Sequence, residues 1–152
     1  MDDSRQWLRT QEVELDVRAT GKRGVLSEAS RLLAARTGTA PQILFDALWH
    51  RESLGSTALG HGVALPHARL DTLASPVGAF MRLGQAVAFD APDDKPVAFV
   101  IALLMPHRDP QRQLRLLAAI AERFSEGTFR DHVAAAADTT AAWRLVTGIA
   151  VR

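Results

Sequence analysis

Two amphipathic helical stretches near the start, a cluster of short apolar runs in the middle and three helical stretches at the end predict an α/β (α+β) fold. The expected architecture is a single domain over residues 1–152, with a core spanning about 10–150. In it a mixed β-sheet of about five strands is flanked by helices. No repeat, low-complexity tract or linker divides the chain, and 152 residues suffice to bury a real core.

The first strand is "EVELDV" (12–17), where polar and apolar residues alternate. "GVLSEASRLLAARTG" then places Val25, Leu26, Ala29, Leu32 and Leu33 at helical spacing, with Gly38 to close the helix. In "TAPQILFDALWHRESLGST", Thr39 reads as an N-cap, Pro41 fits the first turn, and Ile43, Leu44, Ala47 and Leu48 form the buried stripe. The Gly55-Ser56-Thr57 break ends that helix. "GVAL" (62–65), "VGAFMRL" (77–83), "AVAF" (86–89) and "PVAFVIALLM" (96–105) are the remaining strands. The last is apolar at nearly every position, as a strand covered on both faces must be. Asp109 and Pro110 open a helix with Leu114, Leu117, Ala118, Ala121 and Phe124 on one face. Two short helices follow in "TFRDHVAAAA" and "TTAAWRLVTG", with Trp143 in the core.

Composition removes whole classes of function. Apolar residues at 47% and charged residues at 23% describe a globular chain, and a formal net charge of +1 gives no electrostatic case for nucleic acid or an anionic membrane. The absence of cysteine excludes disulfides, iron–sulfur clusters and thiol catalysis. "MDDSRQWLRT" lacks the pattern of a signal peptide, and the apolar stretch 96–106 is far too short to span a bilayer. A soluble, cytoplasmic protein without membrane insertion is expected. Neither a nucleotide-binding glycine loop nor a G-x-S-x-G elbow is present, and the five histidines show no zinc-ligand spacing.

What remains is "RESLGSTALGHGVALPHAR" (51–69). Pro66 fixes its own φ and pushes Leu65 towards extended backbone, so the strand delivers His67 in a set pose; lacking an N–H, Pro66 is expected to stop the strand's pairing. A neutral imidazole is a nucleophile suited to accepting a phosphoryl group. Arg51, the hydroxyls of Ser56 and Thr57, close backbone approach at Gly60 and Gly62, and Arg69 are the groups an incoming phosphate needs. Each also has a plainer use: a hydrogen-bonded strand-end histidine, a solvated helix-end arginine, a connecting turn. His50 and His132 are expected to face water, and His107 to be a solvated loop histidine.

This run resembles the active-site signature of the phosphotransferase-system IIA proteins of the fructose/mannitol/nitrogen-regulatory type. The similarity continues through "VAFDAPDDKPVAFVIALLMP" and the helix after it, so it covers nearly the whole chain. The resemblance implies a mixed sheet flanked by helices, a phosphoryl group carried on His67, and Arg51, Ser56 and Thr57 at the family's phosphate-binding positions. One position departs from the pattern. Many members have a second histidine at the start of the helix after "ALLMP", where this chain has Gln113; its amide is expected to donate a hydrogen bond to the phosphate, as a phosphate-binding residue, but cannot become a cation. The N-terminal pattern "ELDVRATGKRGVLSEASRLLAARTG" is most similar to the nitrogen-regulatory branch.

The implied function is a stoichiometric phosphoryl relay that takes its group from an HPr-like phosphocarrier and signals to regulatory targets such as sensor kinases or ion transporters. No cofactor or metal is expected. Two alternatives stand beside it: a sugar-specific IIA component that passes phosphate to a transporter domain, and a binding module that is never phosphorylated.

Overall fold

The computed structural model describes residues 5–151; residues 1–4 of the polar N-terminal stretch, and residue 152, lie outside the described part. After a 3-10 turn at Thr10–Glu12 come β1 (Val13–Val17) and α1 (Gly21–Thr37). α1 starts one turn before its apolar periodicity does, because Gly21, Lys22 and Arg23 are helical without adding to the buried stripe. Val25, Leu26, Ala29, Leu32 and Leu33 are buried as expected, and Gly38 closes the helix at φ 74°, its N–H donating to the Ala34 carbonyl at 3.0 Å. α2 (Pro41–Ser53) is preceded by Ala40, not Thr39, as its N-cap. Pro41 at the first helical position holds Ala40 extended, while the Thr39 N–H turns back to the Thr37 hydroxyl. Ile43, expected inside, is 55% exposed; Leu44 and Leu48 are buried.

The middle of the chain holds β2 (Ala58–Gly60), β3 (Val63–Ala64), β4 (His67–Arg69), β5 (Val77–Val87) and β6 (Val97–Met105). The run expected as a strand at 77–83 and the first half of that expected at 86–89 are one strand, β5, which ends at Val87 and has a register shift between Arg82 and Val87. β2 and β4 had not been expected; at three residues each they are too short to show an alternation. The helices α3 (Pro110–Phe124), α4 (Gly127–Ala135) and α5 (Thr139–Thr147) complete the chain. Asp109 does cap α3, accepting from the Arg112 N–H at 3.3 Å.

The six strands form one mixed sheet in the order β1-β5-β6-β3-β2, with β4 also paired to β6. β1 is parallel to β5, β5 antiparallel to β6, and both β3 and β4 are parallel to β6. β6 explains its own composition. Val97, Val100, Ala102 and Leu104 pack on the side of α1 and α2, while Phe99, Ile101 and Leu103 pack on the side of α3, α4 and α5. A strand with a helical layer on each face has no place for a polar residue.

The buried face of α3 differs from expectation. Gln113, Leu116, Ile120 and Phe124 point inward and Leu114 is 64% exposed. The inward stripe thus starts at a polar residue, which an apolar count passes over. Trp143 is only half-buried, packed against the second core with its indole N–H donating to the Leu8 carbonyl at 2.7 Å. At the centre of that core the Phe124 ring meets Phe129 edge-on at 5.0 Å and lies 6.2 Å from Phe80 and 6.1 Å from Phe99. Phe124→Ala should therefore cost about 3–5 kcal/mol of stability. In urea titrations the midpoint should fall with the slope unchanged, whereas a loss below about 1 kcal/mol would contradict this account of the core.

Candidate functional site

Pro66 interrupts β3 but does not end the pairing. Its carbonyl accepts from the Leu103 N–H at 2.9 Å, and β4 resumes beside β6 with His67 opposite Leu103 and Arg69 opposite Met105. Only the N–H side of one residue is lost, so the expectation that pairing stops there is corrected. The proline instead divides one long strand into two short ones and sets His67 first in the second.

His67 is half-buried, and its Nδ1 lies 2.8 Å from the Leu65 carbonyl oxygen. A carbonyl can only accept, so Nδ1 carries the proton and Nε2 keeps its lone pair. Burial pushes the His67 pKa below the ordinary histidine value; the bond to Leu65 opposes this, the Arg51 guanidinium adds to it, and Glu52 opposes it. At neutral pH the ring is uncharged.

His67 opens into a cleft of about 440 Å³ between the end of α2, β4 and the start of α3. Arg51, Arg69 and Gln113 line it as well. Alternation along β4 explains how Arg69 arrives there: Ala68 turns to the core and the two flanking side chains share the other side. Arg51 donates from Nη1 to the Gly55 carbonyl at 2.8 Å, so it closes the turn after α2 with one of five donors.

Ser56 and Thr57 are not among the side chains lining the cleft. The Ser56 hydroxyl donates to the Phe89 carbonyl at 2.7 Å and accepts from the Ala58 N–H at 3.1 Å. The Thr57 hydroxyl donates to Glu52 Oε1 at 2.5 Å. Both brace the turn from behind. Gly60 and Gly62 belong to the β2–β3 turn, where the Gly62 carbonyl accepts from Ala98 and Phe99. His67 pairs five residues further along β6, about 16 Å away at the usual rise, so these glycines do not approach the cleft. Gln113, 4% exposed, donates from its amide nitrogen to the carbonyls of Pro106 and Arg108. With the amide turned over, its oxygen would face two carbonyl oxygens, so the assignment is fixed by the network. Its N–H donors close the loop before α3 and do not point to a phosphate. His107 lies 2.6 Å from Asp71, tying that loop to the segment after β4.

Among the cleft residues that the sequence reading did not assign to the site are His50, Leu54 and Leu114. The signal was present in α2, since Ala47, His50, Arg51 and Leu54 recur at i, i+3, i+4, i+7 and form one wall. His50 is exposed, as expected, but towards the cleft.

Residues 6–148 match the family model described as phosphoenolpyruvate-dependent sugar phosphotransferase system, EIIA 2. The chain belongs to this family. It is 36% identical to the nitrogen regulatory protein of Klebsiella oxytoca over 133 residues, 86% of this chain and 82% of that protein. In structure it is similar to the nitrogen regulatory protein IIA-Ntr of Neisseria meningitidis, with a TM-score of 0.90, 32% identity, and 93% and 97% of the two chains covered. The enzyme IIA for mannitol from Escherichia coli, in complex with phosphorylated enzyme IIB, shares the fold at a TM-score of 0.78 and 17% identity, with 93% and 99% covered. Among the described residues of this IIA chain no helix is long and apolar enough to cross a membrane.

The depressed His67 pKa has a measurable sign. Between its folded and unfolded pKa values the unfolded chain binds more protons, so stability rises with pH. The contribution is present above the unfolded value of about 6.5 and is lost as pH falls below it. The stability difference between wild type and His67→Gln, followed by urea unfolding from about pH 7.5 to about pH 5, should move against wild type on acidification. A difference that is flat, or that moves in favour of wild type, would show that the histidine is not held neutral.

Proposed function

We propose that this IIA chain is a phosphoryl relay whose acceptor atom is Nε2 of His67. The observation that carries the reading is the uncharged imidazole with Nδ1 tied to Leu65 and its other nitrogen left for a cleft lined by Arg51 and Arg69. The donor is the phosphohistidine of an HPr-like phosphocarrier. Nε2 attacks phosphorus in line, the new N–P bond forms as the donor's N–P bond breaks, and that electron pair returns to the donor imidazole. The proton stays on Nδ1 throughout, donated in a hydrogen bond to the Leu65 carbonyl. The two guanidinium groups hold the phosphoryl oxygens and stabilise charge as it develops. Because the donor is already a phosphoramidate, transfer draws on positioning and charge alone, and no metal or nucleotide takes part.

Similarity to nitrogen regulatory proteins supports the regulatory branch over a sugar-specific component. Phosphorylation adds roughly −1.5 to −2 of charge at the mouth of the cleft, beside the exposed apolar side chains Leu54 and Leu114. A partner that docks on that rim meets two different surfaces in the two states. Sensor kinases and ion transporters are the expected targets, in the cytoplasm.

Incubation with phosphorylated donor should give wild type one acid-labile, base-stable label. His67→Ala should take up none, and Arg51→Ala should be labelled about 10²-fold more slowly. Normal labelling of His67→Ala would overturn the assignment.

A further inference from the structure

One buried carboxylate near the cleft has no part in this transfer. Glu52 is 4% exposed, next to Arg51 at the end of α2. Its oxygens accept from the Thr57 N–H at 3.1 and 3.2 Å and from the Thr57 hydroxyl at 2.5 Å. Lys22 of α1 donates to Oε2 at 3.0 Å and also reaches Asp90 at 2.7 Å. Burial works against the Lys22 charge, but its bonds to Asp90 and Glu52 outweigh this and raise its pKa. Glu52 is therefore a paired anion, not a stray one.

From Thr57 the contacts run on to the imidazole. The Thr57 carbonyl accepts from the Leu65 N–H at 3.1 Å, and the Leu65 carbonyl accepts from His67 Nδ1 at 2.8 Å. Leu65 is the residue held extended by Pro66 and sits between β3 and β4, so the ladder to β6 does not hold its N–H. Thr57 holds it. The tautomer with its proton on Nδ1 is the minor one for histidine in water, so it persists only while a fixed acceptor keeps it.

We propose that Glu52 is a positioning residue for His67: by anchoring Thr57 it fixes the Leu65 carbonyl, and so keeps the proton on Nδ1 and the lone pair on Nε2. This rests on the phosphoryl-acceptor reading only for its consequence, since the tautomer is defined without any phosphoryl group. The charged and titratable groups around the ring are Arg51 and His50 of α2, Arg69 of β4 and Glu52 itself. Lys22 and Asp90 stand behind the carboxylate. The negative charge of Glu52 opposes Arg51, so the ring stays neutral without being driven further from its ordinary pKa.

The test separates the acceptor from the charge. Glu52→Met keeps the length and removes both oxygen acceptors, whereas Glu52→Gln keeps an oxygen for Thr57 and removes the charge. The tautomer and pKa of His67 are read from nitrogen-15 spectra of the imidazole over a pH series. Wild type should show the Nδ1–H tautomer, Glu52→Met a mixture, and Glu52→Gln the wild-type tautomer with a lower pKa. Labelling by phosphorylated HPr-like donor should fall by up to about 10²-fold in Glu52→Met and recover in Glu52→Gln. A folded Glu52→Met with the wild-type tautomer overturns the proposal. If that variant does not fold, Thr57→Val, which removes the hydroxyl that Glu52 accepts from, takes its place, and a wild-type His67 tautomer there overturns the proposal. Should wild type itself take no label while the tautomers respond as expected, the relay reading fails and the positioning role stands.

Discussion

The bond between His67 Nδ1 and the Leu65 carbonyl is the constraint on which the site depends. It is short-range, two residues apart, and it exists because Pro66 keeps Leu65 extended while β4 resumes pairing one residue later. Remove the proline and the strand could run straight from β3 into β4, with the Leu65 carbonyl free to follow regular ladder geometry. The interruption is what makes a carbonyl available to a side chain. A histidine so held is rigid and one-sided, two properties that follow from one break in a strand, while its neutrality comes from burial, against which the Leu65 bond works.

The rest of the fold gives that break a firm base. β6 is buried on both faces, and β3 and β4 take their register from it. The alternation of β6 residues between the two helical layers makes a one-residue slip costly, since it would exchange Phe99, Ile101 and Leu103 with Val100, Ala102 and Leu104. His67 thus inherits its position from a strand that is buried at every residue but Ala98. The end of α2 brings Arg51 to the same place by a different route, the i, i+4 bond of its side chain to Gly55. Two unrelated local devices converge on one cleft.

How much of this was legible depended on the length of the pattern. α1 was legible because five apolar residues recur at helical spacing, and β6 because nothing polar interrupts it. β2 and β4 were not, being shorter than any period that could show them. The face of α3 was misjudged because its stripe passes through Gln113, a residue that counts as polar yet is buried by two carbonyl partners. Of the residues that line the cleft, His67 and Arg51 were singled out from sequence. The hydroxyls of Ser56 and Thr57 could not be placed, because nothing in "GST" says whether they face an incoming anion or the backbone behind them. Glu52 stands beside Arg51 in the same run, but its use of Thr57 and Lys22 depends on contacts across 5 and 30 residues. Tertiary partners decide such roles, and a single sequence does not carry them.

Gln113 shows why a departure from a family pattern has to be read physically. The side chain at this position is buried under the loop that leads from β6 into α3, where two carbonyls, of Pro106 and Arg108, point at it. A primary amide answers both with the two hydrogens of one nitrogen. A neutral imidazole has a single N–H, and a charged one has two that diverge across the ring, so neither could close both bonds from one point. Glutamine therefore fits this loop better than histidine does, at the cost of a group that could carry positive charge. With that charge absent, the permanently cationic side chains lining the cleft of this chain beside His67 are Arg51 and Arg69. Two guanidiniums keep their charge at every physiological pH, whereas a second histidine would gain and lose it near neutrality. The cationic support that Arg51 and Arg69 give this cleft therefore does not depend on a proton gained or lost near neutrality.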